Sequence, residues 1–258
     1  MLVVLAVSAV ACTSPTSPSP PGDRLPAVGV GCPAEVSPSR TNFHPRPGRD
    51  GVVYDLEVPE GWTGARVVRA GDLALPSGRL IAASGGEMAY PIELRAVDLG
   101  VDGGSYPVNL LIARFDSGDR RVAFAEIVLR DEPIVRWAGS AALSFGTDGG
   151  DGGYISAEAS RYAGTGDGQW LFEAIERAAA LPTFPLCEQV RFPERAPANV
   201  IMFQTGWGDG FYPTAIGYDA GGRPSAVVTF CLVIPWRLAG LPGTPPRQVL
   251  DEERRRGR

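Results

Sequence analysis

The chain has 258 residues, of which 44% are hydrophobic and 21% charged, so it can bury a sizeable core and is not disordered throughout. This length suits one large domain, which is common among all-β proteins. The net charge of −5 argues against a surface built to neutralise phosphates, so nucleic acid is not expected as a partner.

Residues 1–11 predict an export signal. They are apolar apart from Ser8, and a run this short fits the core of a secretory signal peptide but cannot cross a bilayer core of about 30 Å. The segment Ala9-Val10-Ala11-Cys12 resembles a bacterial lipobox, in which cleavage before the cysteine frees it for diacylation. We therefore expect a lipid-anchored protein on the outer side of the cell membrane. If Cys12 is an incidental cysteine, the protein is secreted instead.

Residues 12–26 continue as a tether rich in Ser, Thr and Pro. Such a composition cannot bury a core and forms an extended, semi-rigid spacer. A spacer that lifts a domain off a membrane is what a lipid anchor requires. The sequence therefore predicts the membrane as a partner, through the lipid on Cys12.

The other three cysteines predict one disulfide, because an exported protein reaches an oxidising compartment and one of the three must stay unpaired. Cys231 lies in the apolar run AVVTFCLVI and is expected as a buried free thiol. Cys32 and Cys187 both lie among turn residues. We predict that these two cysteines pair.

Most of the mature chain predicts β-strands. Residues 52–58 alternate apolar and acidic side chains, which is the pattern of a half-buried strand. Residues 106–115 and 121–129 are apolar runs joined by the turn residues 116–119, which predicts a hairpin. Residues 225–234 are apolar on both faces and are expected as a central strand. Further strands are predicted at 73–75 and 79–83, on either side of a turn at 76–78, and at 199–205 and 213–218.

One helix is predicted at residues 168–181, where Trp170, Ala174 and Ala178 recur every four residues. Residues 238–258 end in DEERRRGR without apolar periodicity and are expected as a disordered tail. We therefore predict a single domain at residues 27–237. Its fold class is mainly β, with two packed, mostly antiparallel sheets like a β-sandwich and one short helix.

Several motifs resemble those of a known family. In chain order they are AGDLALPSG at 70–78, GSYPV at 104–108, RVAFA at 121–125, Trp137, TDGG at 147–150 and GWGDGFYP at 206–213. Together they resemble the bacterial family called domain of unknown function 4241, over roughly residues 69–230. The resemblance implies a shared fold over most of the mature domain. It implies no activity, because none is established for the family.

Three carboxylates in glycine-rich segments are candidate binding residues. Asp148 and Asp151 lie in GTDGGDGG, and Asp209 lies between Gly208 and Gly210. Neighbouring glycines let the backbone turn with positive φ and leave a carboxylate open, which suits a cation site or a pair of catalytic acids. Asp and Gly are also selected by tight turns, and neither segment has the acidic spacing of a calcium loop. A purely structural turn therefore stays an alternative.

Aromatic residues flank Asp209 in the sequence. Trp207 and Tyr212 are candidate binding residues, because aromatic rings beside a carboxylate can form a platform for a sugar or a peptide. Large aromatic side chains are more commonly buried for packing, so a core tryptophan that fixes the turn is the alternative.

Other chemistries find little support in the sequence. His44 is the single histidine, which argues against a Ser–His or Cys–His triad. The cysteines lack zinc spacing, and no lysine exists to complete a phosphate-binding loop, so no cofactor is expected. We predict a non-enzymatic domain that binds an unidentified protein or glycan. The alternative is a glycan or peptide hydrolase that uses Asp148, Asp151 and Asp209 as acid/base groups or metal ligands.

Overall fold

The computed structural model describes residues 28–29, 36–45, 58–88, 90, 92, 95–163, 187–191 and 198–256. The strands are β1 (Val28–Gly29), β2 (Trp62–Leu75), β3 (Arg79–Ala83), β4 (Val97–Asp98), β5 (Gly104–Phe115), β6 (Arg120–Val128), β7 (Arg136–Thr147), β8 (Asp151–Ser156), β9 (Cys187–Arg191), β10 (Asn199–Gln204), β11 (Gly210–Tyr218) and β12 (Pro224–Phe230). The helices are α1 (Gly85–Met88), α2 (Ala157–Ala163) and α3 (Arg247–Arg256), with a 3-10 helix at Trp236–Ala239. The predicted signal peptide, tether and helix at 168–181 lie outside the described residues, as does the predicted strand at 52–58 except for its last residue.

The strands form two antiparallel sheets of six strands each. The first sheet has the order β1-β9-β10-β8-β3-β4, in which β1 and β4 are edge strands of two residues. The second sheet has the order β2-β5-β6-β12-β11-β7. The prediction of a mainly β fold with two antiparallel sheets is therefore confirmed. None of the described helices is long and apolar enough to cross a membrane.

The β5–β6 hairpin forms where the sequence predicts it. Ala113 pairs with Arg121, and the Phe115 N–H donates to the Asp119 carbonyl at 3.0 Å across the turn. β12 lies between β6 and β11, which confirms a central strand, although the strand ends at Phe230 rather than at residue 234. The predicted turn at 76–78 joins β2 to β3, and these strands belong to different sheets. The chain therefore crosses between the sheets at this turn.

Buried side chains join the two sheets face to face. The Tyr154 hydroxyl on β8 lies 3.0 Å from the Ala125 carbonyl oxygen on β6 and 2.8 Å from Thr229 Oγ1 on β12. Thr214 Oγ1 on β11 lies 2.8 Å from the same Thr229 hydroxyl. Burial raises the pKa of Tyr154, so its hydroxyl stays protonated. This hydrogen-bonded chain satisfies polar atoms in the middle of an otherwise apolar interface.

The two segments that flank the family motifs cover the outer face of the second sheet. One is an N-terminal strap, residues 36–45, and the other is a C-terminal segment, residues 231–256. The Phe124 ring packs 5.9 Å from Phe43 of the strap and 5.7 Å from Trp236 of the C-terminal segment, as measured between ring centroids. The His44 N–H donates to the Ala239 carbonyl at 3.0 Å, so the two covering segments also bond to each other.

The prediction of a disordered tail at residues 238–258 is wrong for the described part of it. Val249 of α3 is fully buried, and the Glu253 carboxylate accepts a 2.7 Å hydrogen bond from the backbone N–H of Trp236. The Trp137 indole of β7 donates to the Pro242 carbonyl at 2.7 Å. Tertiary contacts with the second sheet therefore order this segment, and the amphipathic helix α3 turns Val249 toward the sheet.

A buried carboxylate holds the strap to the second sheet. Glu126 on β6 is fully buried and accepts hydrogen bonds from Thr41 Oγ1 at 2.8 Å and from the Asn42 backbone N–H at 3.0 Å. It also accepts from the side-chain amides of Asn42 at 2.8 Å and of Asn109 at 3.1 Å. Burial raises the pKa of Glu126, while these hydrogen bonds partly offset the rise. All of these donors are neutral groups.

The described cysteines include one bonded and one free side chain. Cys187 at the start of β9 is disulfide-bonded, and Cys231 is a buried free thiol, as the sequence predicts. Burial raises the pKa of the Cys231 thiol, which keeps it unreactive. The predicted partner Cys32 lies outside the described residues. β1 ends shortly before Cys32 and pairs with β9, an arrangement that favours the Cys32–Cys187 pairing, which stays a prediction.

Candidate functional site

Two glycine-rich turns lie side by side at one end of the sheets. One turn joins β7 to β8, and the other joins β10 to β11; together we call residues 147–151 and 205–210 the turn cluster. Thr147 pairs with Gly210 in the second sheet, and the Thr205 N–H donates to the Gly150 carbonyl at 3.0 Å. A Cβ atom on Gly150 would lie 3.2 Å from the Gly208 Cα, so the turns are in close contact.

The turn cluster brings the predicted carboxylates to the same region but not to the same environment. Asp148 directly follows Thr147 and Asp209 directly precedes Gly210, so both lie next to the pair that joins β7 and β11. Both are exposed, and neither makes a hydrogen bond or an ion pair with a described residue. Asp151, the first residue of β8, is instead buried.

Asp151 is held by neutral donors. Its Oδ1 accepts long hydrogen bonds from the Thr147 hydroxyl at 3.3 Å and from the Gly85 backbone N–H at 3.4 Å. The residue is only 9% exposed and forms no ion pair with a described residue. Burial therefore raises the pKa of Asp151 above its ordinary value, and the two hydrogen bonds counter only part of that rise.

A cleft of about 510 Å³ opens between the β7–β8 turn and α1. Its lining residues are Ser84, Gly86, Glu87, Tyr90, Thr147, Asp148, Gly149 and Asp151. The two walls meet because β3 and β8 are paired, with Ala83 opposite Gly153, which places the segment after β3 beside Asp151.

The α1 wall of the cleft is fixed by a capping box. The Glu87 N–H donates to Ser84 Oγ at 3.3 Å, and the Ser84 N–H donates to the Glu87 carboxylate at 3.4 Å. Glu87 also pairs with Arg95 at 2.7 Å, so its charge is compensated. Tyr90 is 63% exposed and forms part of the rim. The sequence Ser84-Gly85-Gly86-Glu87 has the spacing of a capping box, and this spacing could have predicted the helix start that forms this wall.

The two candidate aromatic residues lie in opposite environments. Tyr212 is fully buried, and its hydroxyl lies 2.6 Å from the Gly208 carbonyl and 2.9 Å from the Thr205 carbonyl. It therefore positions the turn and does not face a ligand. Trp207 is 45% exposed, with its ring 5.7 Å from Phe115 and the Arg121 guanidinium 4.5 Å from the ring centroid.

The remaining candidate residues do not complete a catalytic or metal centre with those above. Within the described ranges, no group of three or more His, Cys, Asp or Glu side chains is arranged to hold a metal ion. The cation-site hypothesis for Asp148, Asp151 and Asp209 therefore gains no support. His44 lies on the strap and is not among the residues that line the cleft. Cys12 and its expected lipid lie outside the described residues.

Comparison with known proteins identifies the family of the domain. No curated protein and no solved structure is significantly similar to the chain. The family model described as Protein of unknown function (DUF4241) matches residues 73–229, which is more than half of the 258 residues. The match contains the turn cluster and all strands from β3 to β11. The chain therefore belongs to the DUF4241 family of proteins of unknown function.

Proposed function

We propose that the protein is a lipid-anchored binding protein outside the cytoplasmic membrane, and that its ligand binds at the turn cluster. One observation carries the proposal: the cleft of about 510 Å³ places the exposed Asp148 and the buried Asp151 beside the turn that displays Trp207. Ligand sites in proteins are commonly clefts of about 300–1,000 Å³ with a few convergent polar groups.

The chemistry of the cleft favours a ligand that donates hydrogen bonds. Ionised carboxylates only accept hydrogen bonds, and Asp148 has no donor among the described residues. A ligand with hydroxyl or amino groups supplies what Asp148 lacks. Phosphate groups are disfavoured, because Asp148 and Asp209 are acids at this surface that pair with no described cation. A glycan or a peptide therefore fits better than a nucleotide.

A glycan or peptide hydrolase is the second candidate function. It is favoured by one observation, which is that Asp148 and Asp151 line the same cleft in different environments. A general acid needs a raised pKa and its partner carboxylate must stay ionised, and burial raises the pKa of Asp151. Asp209 lies on the neighbouring turn and does not line the cleft, so this candidate rests on Asp148 and Asp151.

The cleft is tested by comparing Asp148→Asn and Asp151→Asn with the unchanged protein. We expect a ligand from a panel of neutral oligosaccharides and short peptides to raise the melting temperature of the unchanged protein, since a ligand at a hundred times its Kd stabilises by about 2.7 kcal/mol. The Asp148→Asn variant should lose this shift. Asp102→Asn is the matched control, because Asp102 is exposed and does not line the cleft.

Mass spectrometry of the ligand after incubation separates the two candidate functions. A binding protein leaves the ligand intact. A hydrolase cleaves it, and Asp151→Asn then binds the ligand without cleaving it. If no compound shifts the melting temperature, or if Asp102→Asn and Asp148→Asn behave alike, the cleft is not the binding site.

The anchor is tested with Cys12→Ala in a bacterium that lipidates exported proteins. We expect the unchanged protein to incorporate a labelled fatty acid and to enter the detergent phase on phase separation. The Cys12→Ala variant should lose the label and the detergent partitioning, because the lipid supplies the apolar surface that holds the protein at the membrane. Thr13→Ala is the matched control and should keep both. Labelling that survives in Cys12→Ala would remove the anchor from the proposal.

A further inference from the structure

Trp207 is exposed although its side chain is held in place. Tryptophan side chains are mostly buried, and exposed aromatic side chains in a fixed position are typical of binding surfaces. Here Phe115 packs against the ring at a tilt of 58°, and Arg121 lies over the ring. Nearly half of the residue remains in solvent. The indole therefore offers apolar surface that no described residue covers.

Hydrogen bonds and close packing within the protein hold the turn that carries Trp207. The Gly208 N–H donates to the Thr205 carbonyl at 2.8 Å, and the Thr205 hydroxyl donates to the Gly208 carbonyl at 3.0 Å. Gly206 has a φ of 47°, and a Cβ atom there would lie only 2.0 Å from the Cys231 carbonyl oxygen. Arg121 donates to the Gly206 carbonyl at 3.1 Å. A ligand that stacks on the indole thus meets a surface that is already ordered, which lowers the entropy lost on binding.

The space around the indole contains acceptors and open volume. Asp209, two residues along the turn, is exposed and makes no hydrogen bond or ion pair with a described residue. A Cβ atom on Gly208 would meet no atom within 4 Å, so the turn does not block approach. Phe211, two residues after Asp209 in the chain, is also 42% exposed. The site combines flat apolar surface with carboxylates that need hydrogen-bond donors.

We propose that Trp207 is a stacking platform for a sugar ring, and that the ligand of the turn cluster is a neutral oligosaccharide. This inference rests on the proposed binding function and names its ligand class. A sugar presents an apolar C–H face to an aromatic ring and hydroxyl donors at its edge, which match the indole and Asp209.

Charge separates a neutral sugar from the competing ligands. Asp148 and Asp209 repel an anion. The Arg121 guanidinium already lies 4.5 Å from the Trp207 ring centroid, so the protein's own cation makes the cation–π contact that this ring offers. Arg121 is itself paired with Asp119 at 2.8 Å, so it stays over the ring and blocks that position for a cation of a basic peptide. A neutral polyol meets neither the repulsion of an anion nor this competition.

The test is a calorimetric titration of the solubilised mature protein with four neutral tetrasaccharides, made of β-1,4-linked N-acetylglucosamine, β-1,4-linked glucose, α-1,4-linked glucose and mannose. We expect at least one to bind at millimolar or lower concentration, with an affinity that does not change between low and high salt. Trp207→Ala should weaken that binding at least about tenfold, and Trp207→Phe should restore part of it. Should Trp207→Ala fail to fold, Trp207→Phe and Asp209→Asn carry the comparison.

The controls separate the platform from the cleft. Val135→Ala shortens an exposed apolar side chain that lies outside both the cleft and the turn cluster, and it should leave sugar binding unchanged. Sugar binding that is lost in Trp207→Ala and kept in Val135→Ala supports the platform. A melting-temperature shift that Asp148→Asn loses but Trp207→Ala keeps overturns the platform and leaves the proposed binding at the cleft standing. Binding by none of the four sugars, equal binding by Trp207→Ala, or salt-sensitive binding of an arginine-rich peptide in place of the sugars overturns the inference.

Discussion

Replacing Trp236 with alanine is expected to lower the free energy of unfolding by about 3–5 kcal/mol. Trp236 is 1% exposed and packs edge-on against Trp137 and Phe124, at centroid distances of 5.4 Å and 5.7 Å. Its ring also lies perpendicular to that of Phe230 at 6.1 Å. Truncation leaves a cavity on the outer face of the second sheet and removes the main contact through which the C-terminal segment covers it.

Denaturant unfolding of Trp236→Ala, followed by circular dichroism, checks this expectation. For a domain of this size the loss corresponds to a fall in melting temperature of roughly 10 °C. Val135→Ala is the matched control, because Val135 is exposed and surface substitutions of this kind change stability by about 0.5 kcal/mol or less. Equal stabilities of the two variants would contradict the assignment of residues 231–256 to the folded domain.

Replacing Glu126 with alanine is expected to lower the free energy of unfolding by at least about 3 kcal/mol. The change removes the acceptor of four hydrogen bonds, which come from Thr41, Asn42 and Asn109, and a buried donor that is left unpaired costs about 1–3 kcal/mol. The strap should also become more accessible, which limited proteolysis or hydrogen exchange at residues 36–45 would detect. Glu126→Gln keeps the size and one acceptor oxygen, so it should be less destabilising.

The pH dependence of stability distinguishes the charge of Glu126 from its shape. Burial raises the pKa of Glu126 in the folded state above the value of about 4.3 in an unfolded chain. Between these two pKa values the folded state binds more protons, so the free energy of unfolding is highest below this window and falls as pH rises through it. Glu126→Gln should remove this part of the slope. Asp151 contributes in the same direction, because burial raises its pKa too.

If the free energy of unfolding of Glu126→Gln changes with pH as steeply as that of the unchanged protein, the raised pKa assigned to Glu126 is contradicted. The double variant with Asp151→Asn gives the reference for the remaining carboxylates. Denaturant unfolding at a series of pH values measures all three proteins on one scale.

The strands that the sequence predicts are those whose burial is visible locally. Residues 121–129 lie in an apolar run that a four-residue turn joins to its hairpin partner, so pattern and turn chemistry agree. The sequence does not predict β7 and β8, and the reasons are local. β7 contains the small residues Gly139, Ala141 and Ala142, which obscure the alternation of apolar and polar side chains that marks a strand. β8 begins at Asp151 in a run of turn residues.

The candidate site is predictable only in part. The sequence identifies Asp148, Asp151, Trp207 and Asp209 as unusual, because glycines surround them. The sequence does not indicate that Glu87 lines the same cleft as Asp148 and Asp151. The cleft depends on the pairing of β3 with β8, which are far apart in the sequence. Nor does the sequence distinguish the exposed Trp207 from the buried Tyr212, since both are aromatic residues beside the same turn. Side-chain direction there depends on tertiary packing.

The hydrogen bond from His44 of the strap to Ala239 of the C-terminal segment joins the two covering segments on the outer face of the second sheet. Thr41 and Glu126 are 85 residues apart in sequence, and Trp137 and Pro242 are 105 apart. Contacts of such long range slow folding, because the chain must close large loops before they form. The apolar outer face that Phe124 and Phe230 present is completed only when the last residues of the chain dock. A chain whose last residues have not docked exposes this apolar face, and exposed apolar sheet surface favours aggregation.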